Sequence, residues 1–320
     1  MRFWFTWLLF AGVLWAAEPE TAGWMAALRE DALLRTVALP GAHDAGTAGM
    51  PWYTCTQGKT IARQLREGVR YLDIRVGTDG EQPVIVHGPS KGMSLRRVLT
   101  ELRDFLTAHP TETVLLDIPF LADGAEDATH ALLCDILDDR LYEAPTEDRV
   151  RCTDALHVGE VRGKALVFWG RASSPLLRDR RLLPRGNDAG TRTGVCLHSF
   201  YREESHMGDS ETLVRVTLPH YLQRFRRLGS GFCVLQGQLT DGWGIRGPRL
   251  RESGHAARMD AFVRSLAQRE ELPWVNVILR DFATTEKNTL TLWLNSPKGL
   301  VKEEAHADFE RFRPAPVSAK

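Results

Sequence analysis

Short apolar runs alternate along the chain with longer stretches in which apolar residues recur every three or four positions. The runs Val69 to Val76, Val84 to His87, Thr113 to Ile118, Ala165 to Trp169, Phe232 to Leu239 and Val275 to Leu279 have the length and composition of strands. Between them, Ile61 to Glu67 has helical spacing, and Gly68 can cap it. Ser94 fits the N-cap of a helix through Ala108, with Leu95, Val98, Leu99, Leu102, Phe105 and Leu106 on one face; Pro110 stops it. Further helices are expected over Ala125 to Asp138 and Gly254 to Leu266. The stretch Ser173 to Thr193 is basic and rich in Gly and Pro, and reads as an irregular surface excursion. Strands alternating with helices imply a parallel sheet with helical crossovers. The pattern alone admits a closed barrel and an open doubly wound sheet. No Gly-x-Gly-x-x-Gly stands at a strand-to-helix junction, so a dinucleotide site has no support.

The N-terminus departs from this alternation. Met1 and Arg2 precede the apolar run Phe3 to Trp15, and Ala16-Ala17 follows. This reads as a signal peptide over residues 1–17, which implies a secreted or periplasmic protein. The run is short for a membrane span, which needs roughly 20 residues. The mature part, 24–313, is long enough for one large barrel domain, and 314–320 is expected to be a disordered tail. Lys+Arg and Asp+Glu are both 41, so the formal charge is +0 and nothing suggests a nucleic-acid partner. A monomer is expected. The five cysteines, Cys55, Cys134, Cys152, Cys196 and Cys233, show no metal-cluster spacing. Export would permit one or two disulfides among them; buried unpaired thiols are the alternative.

Polar residues recur at the ends of the apolar runs. His43 and Asp44 follow Leu39-Pro40-Gly41, His87 ends Val84-Ile85-Val86, Arg171 follows Trp169, and Asp281 follows Leu279-Arg280. Asp73 and Arg75 stand two apart in one strand, so they share a face. Singly, each has a structural explanation such as a local ion pair or a capped turn. Together, in a parallel barrel, they would gather at the C-terminal mouth.

The segment Leu39-Pro40-Gly41-Ala42-His43-Asp44-Ala45-Gly46-Thr47 resembles the opening motif of the bacterial phosphatidylinositol-specific phospholipase C X-domain family. Gln64 to Arg75 resembles its second motif and Val86-His87-Gly88 its third. Gly163 to Arg171 and Val275 to Phe282 are similar to later segments, in order. The resemblance covers roughly residues 30 to 295 and implies an irregular TIM-like (βα) barrel.

It also implies roles. His43 would be the base that takes a substrate hydroxyl proton, oriented by Asp281. His87 would be the acid that protonates the leaving oxygen, with Asp44 as its partner. Arg75 would hold the phosphate, and Asp73 would orient Arg75 or His87. The eukaryotic branch holds calcium with an acidic residue at the position of Arg75 and a Glu at that of Pro119, so neither metal nor other cofactor is expected. Asp44, Asp73 and Asp117 could nevertheless meet near the mouth. Arg171 matches an arginine that contacts the inositol ring, and Gln236 and Gln238 are candidate substrate contacts. Gly237 and Leu239 stand where the family has acidic and aromatic ring contacts, so the headgroup is less defined than the reaction. The implied partner is a phospholipid or inositol phosphate met in transient contact with a membrane surface. Trp52 and Tyr53 are the best candidates for a lipid-facing rim, with Trp24, Trp243 and Trp293 behind them. The basic run Arg178, Arg180, Arg181, Arg185 reads as a solvated loop, with contact to anionic lipid as the second reading. Two other readings stand: a metal-dependent glycerophosphodiester-type hydrolase, and a non-catalytic lipid or inositol-phosphate binding module on the same fold.

Overall fold

Residues of the strands alternate in character with a period of two, and the structure turns this into an inner and an outer wall. It is a computed structural model and describes residues 21–186, 194–200, 209–240 and 247–315. The expected leader, Trp243, residues 187–193 and the tail from 316 lie outside the described residues. The strands are β1 (Leu39–Ala42), β2 (Tyr71–Asp79), β3 (Gln82–His87), β4 (Ser90–Ser94), β5 (Val114–Leu121), β6 (Ala165–Trp169), β7 (Leu182–Gly186), β8 (Leu197–Ser199), β9 (Phe232–Gln236) and β10 (Val277–Arg280). β1, β2, β5, β6, β7, β8, β9 and β10 pair in that order, all parallel, and β10 closes on β1. This is a closed eight-stranded TIM-like barrel, which decides between the two sheet topologies left open by the pattern.

On the outer wall, Leu72, Ile74, Val76, Leu116, Ile118 and Val167 pack against the helices Leu95–Ala108 and Glu126–Leu137. Ile278, Cys233 and Leu235 pack against Leu218–Leu228 and Pro248–Leu266. Each fully buried Leu or Ile contributes about 1.5–3 kcal/mol, so these faces carry much of the stability. Ser94 caps its helix as expected, accepting from the Arg97 backbone N–H.

On the inner wall, polarity rises along the barrel axis. The N-terminal half is filled by Leu39, Tyr71, Leu115, Leu166, Phe168, Leu183, Leu197, Phe232, Val277 and Leu279. Gly41 belongs to this layer because a Cβ there would lie 3.0 Å from both Leu279 and Val277. Two residues further along the strands come Asp73, Asp117, Arg185, Ser199 and Gln236, all buried. The chemistry-bearing residues therefore sit on an apolar floor at the C-terminal mouth.

Three expectations change. β7 lies inside the stretch expected to be an irregular excursion; Pro184 and Arg185 masked it. Arg185, expected in a solvated loop, is buried because its guanidinium Nε lies 2.7 Å from Asp117 Oδ1. β3 does not join the parallel ring: β2 overruns the barrel, turns at Gly80-Glu81 and pairs antiparallel with β3, which pairs antiparallel with β4. Gly80 has φ +59, as the turn requires. All five cysteines are free thiols. Among the described residues no helix is long and apolar enough to cross a membrane.

Candidate active site

Strand register decides which polar side chains meet. Ala42 of β1 is level with Arg280 of β10, so the next residues on each strand, His43 and Asp281, face one another. His43 Nδ1 lies 2.7 Å from Asp281 Oδ1. The turn after β1 then carries Asp44 at φ +44, a region in which Asp is among the more tolerated L-residues. Thr56 Oγ1 donates to the carbonyls of both His43 and Asp44, Thr47 Oγ1 donates to Asp44, and Gln57 Nε2 donates to His43, so the turn is fixed from below.

Asp44 is the centre of the cluster. Its Oδ1 is 2.8 Å from Arg75 Nε, and its Oδ2 is 3.2 Å from His43 Nε2 and 3.4 Å from His87 Nε2. Arg75 arrives through an irregularity of the β2–β5 pairing. Asp73 pairs with Asp117 but Arg75 pairs with Phe120, so β5 has one residue extra, at Ile118-Pro119. His87 reaches the mouth by the β2–β3 hairpin, and its Nδ1 lies 2.7 Å from the Thr54 carbonyl. A carbonyl can only accept, so Nδ1 carries a proton and Nε2 is the nitrogen presented to the site. The two imidazole rings are 6.5 Å apart and nearly perpendicular, at 79°.

Electrostatics follow from this crowding. Burial opposes charge on His43, but Asp44, Asp281 and Asp73 overcome it and push its pKa up to about 9. Burial works against Asp44 as well, yet His43, Arg75 and His87 hold its carboxyl below the usual range. Asp73 goes the other way: burial and the neighbouring Asp44 raise it. Beneath them, burial pushes Asp117 up to about 6 despite Arg185, and Tyr71 Oη donates to its other oxygen at 2.5 Å. Ligand atoms of His43, Asp44 and Asp73 lie within 4.8 Å of one another, a spacing open to a metal ion. The Arg75 guanidinium already brings positive charge to the same carboxylate.

Of the residues singled out in the sequence, His43, Asp44, Arg75, His87 and Asp281 meet directly. Asp73 joins them electrostatically through His43 and Arg75. Arg171 is not among their contacts: its guanidinium is held by Glu126 and by Asp123, 2.5 Å away. Gln238 donates to Gln236 and Gln236 donates to Ser199, each at 2.6 Å, leaving Gln238 Oε1 buried without a donor. Sequence reasoning missed Thr54, Gln57, Ser199 and Arg185. An arginine directly after Leu-Leu-Pro was the one visible signal among them.

Residues 42–170 match the family model described as phosphatidylinositol-specific phospholipase C, X domain. This stretch of the chain is similar to that domain. A Listeria monocytogenes 1-phosphatidylinositol phosphodiesterase is 29% identical over 158 residues, 46% of this chain and 48% of its own length. The human PI-PLC X domain-containing protein 2 is 30% identical over 154 residues, 38% of this chain and 50% of its own. The chain thus spans about half the length of these relatives. Solved structures extend the likeness of fold beyond the X domain. The Listeria monocytogenes phosphatidylinositol-specific phospholipase C superposes with a TM-score of 0.66 at 20% identity, covering 86% of this chain and 99% of that one. A Staphylococcus aureus phosphatidylinositol-specific phospholipase C from a study of membrane binding gives 0.61 at 16% identity, with 83% and 92% covered.

Proposed function

We propose that the protein is an exported phosphodiesterase that cleaves phosphatidylinositol or a related phospholipid by His/His acid–base catalysis, with Arg75 rather than a metal carrying the phosphate charge. The observation that supports this best is the convergence of two imidazole Nε2 atoms, 3.2 and 3.4 Å from a single anionic oxygen, beside a guanidinium. A phosphodiester oxyanion suits the same three donors.

The reaction divides between the rings. A headgroup hydroxyl gives its proton to His43 Nε2 as its oxygen bonds to phosphorus. Asp281, on Nδ1, stabilises the imidazolium that forms. The bond from phosphorus to the glyceride oxygen breaks, and His87 Nε2 gives that oxygen a proton. For an inositol headgroup the products are a cyclic phosphodiester and diacylglycerol. His43 starts at a disadvantage as a base. With a pKa of about 9 it is neutral in about one molecule in a hundred at pH 7. The compensation is a stronger base in that minor form.

Metal-dependent phosphodiester hydrolysis is the second reading, favoured by the spacing of His43, Asp44 and Asp73. Purified protein assayed on phosphatidylinositol, phosphatidylcholine and glycerophosphodiesters, with and without chelator, separates them. Cleavage of phosphatidylinositol that survives chelation and falls by several orders of magnitude in His43→Ala and His87→Ala supports the proposal. Loss of activity on chelation would reject it in favour of the metal. Binding without turnover would make the protein a lipid-binding module. Export rests on the leader pattern of residues 1–17 and is tested by locating the mature N-terminus.

A further inference from the structure

Phe282 is one of three non-glycine residues with positive φ among the described residues, at +45, and it follows Asp281 directly. Phenylalanine gains nothing there by itself, so the surroundings must hold the turn. Every backbone group needed for that is captured. Arg280 O accepts from Gln57 Nε2 at 2.9 Å, Phe282 N–H donates to Thr56 O at 2.8 Å, and Ala283 N–H donates to Gln57 Oε1 at 3.0 Å. The remaining two carbonyls, of Asp281 and Phe282, both accept from Lys287 Nζ, at 2.9 and 3.0 Å.

Lys287 stands on the helix Thr285–Trp293, which follows the turn. Its ammonium also pairs with Glu252, which is buried and lies 3.4 Å from Arg280; Arg280 in turn pairs with Asp260 at 2.6 Å. The charged groups facing Lys287 are thus Glu252 and Asp260 on one helix and Arg280 and Asp281 on the end of β10. Burial lowers the Lys287 pKa, and Glu252 works against that.

We propose that Lys287, anchored by Glu252, is a positioning residue that clamps the Asp281–Phe282 turn and so keeps the Asp281 carboxylate on His43 Nδ1. The inference rests on the reading of His43 as a reacting group. Its physical core, control of the His43–Asp281 contact, does not require turnover. A methionine at 287 keeps the stem's bulk and loses the donor. Released from the clamp, Phe282 leaves the left-handed region and Asp281 swings with it. A glutamine keeps an N–H donor without the charge.

The test is a titration of His43 by NMR of the imidazole nitrogens in the wild type, Lys287→Met, Lys287→Gln, Asp281→Asn and the Asp281→Asn/Lys287→Met double variant. Far-ultraviolet circular dichroism and a melting curve are recorded on each. Expected is a fall of one unit or more in the His43 midpoint for Lys287→Met, toward the Asp281→Asn value. Lys287→Gln should recover part of it, and the double variant should match Asp281→Asn alone. Where activity is found, kcat/KM should drop tenfold or more in Lys287→Met and no further in the double variant. A folded Lys287→Met whose His43 titrates as in the wild type overturns the proposal, as does a Lys287→Gln that shifts as far as Lys287→Met, or a further, additive shift in the double variant. If no phosphodiester is turned over, the titration still decides the positioning claim on its own.

Discussion

Arg75 and Asp44 form an ion pair, with Nε 2.8 Å from Oδ1, and the other oxygen of the same carboxylate faces both imidazoles. A carboxylate therefore stands among the cationic groups that the proposed mechanism needs for a phosphate. Two unit charges 4 Å apart interact by about 4 kcal/mol at an effective dielectric near 20, so Asp44 and a bound phosphate repel appreciably.

Asp44→Asn isolates this conflict, because Asn tolerates the left-handed backbone that position 44 requires. Inorganic phosphate should bind about tenfold tighter or more to the variant, measured by calorimetry. Turnover should nevertheless fall by about a hundredfold, since His87 loses its carboxylate partner. Weaker phosphate binding would mean that Asp44 organises the cations more than it competes with the anion.

Activity should depend on pH through His43. Its pKa is pushed up to about 9, above the ordinary value, so the folded protein holds a proton that the unfolded chain has lost between about 6.5 and 9. The stability from this imidazolium is complete below pH 6.5 and declines as pH rises through 9. If the free protein must present neutral His43, that requirement makes kcat/KM rise with pH up to about 9. A bell centred below pH 6 in a kcat/KM profile would rule out His43 as the base.

The site was legible where one strand or turn carries its own signature. His43-Asp44 directly after β1 and Asp73-x-Arg75 in β2 each stand at the mouth, where His43 meets Asp281 and Arg75 meets Asp44. What failed was context from distant segments. The Arg185 strand looked like a loop because a charged residue and a proline interrupt its apolar run; only Asp117, on a strand two positions round the barrel, makes that charge buriable. β8 has three residues, too few for any periodicity to appear. Arg171 matched a motif, but Asp123 and Glu126 on the preceding βα segment hold its guanidinium. Lys287 and Gln57 act on backbone carbonyls, which leave no mark in side-chain patterns.

Asp117 and Arg185 are sealed together inside the barrel, each less than a twentieth exposed. Removing one partner leaves a buried charge alone, so Arg185→Met should cost about 3–5 kcal/mol in urea unfolding. The loss should depend on pH with a definite sign. Asp117 is already raised to about 6, so its proton binding favours the folded state below its unfolded value and that advantage is lost as pH rises through 6. Without Arg185 its pKa climbs further. Arg185→Met is therefore expected to be much less stable at pH 8 than at pH 5, and adding Asp117→Leu should restore most of the difference. Equal destabilisation at both pH values would show that packing, not charge, is what Arg185 supplies.

Trp52 tests the link between membrane contact and chemistry. It is 68% exposed, Tyr53 beside it is 49% exposed, and their rings meet edge to face with centroids 5.7 Å apart. With Met50, Leu250 and Phe282, Trp52 lines a largely apolar groove of about 650 Å³. Two residues along the same turn, the Thr54 carbonyl holds His87. An indole suits a water–lipid boundary, and burying one there is worth about 1.5–3 kcal/mol, or roughly ten- to a hundredfold in partitioning. Trp52→Ala should lower co-sedimentation with phosphatidylinositol vesicles, and the rate on them, by that factor. Its rate on a water-soluble monomeric phosphodiester should stay within about twofold, because such a substrate reaches the imidazoles without a membrane. Equal losses on both substrates would assign Trp52 to the positioning of His87 through Thr54, and membrane docking would have to be sought elsewhere on the rim.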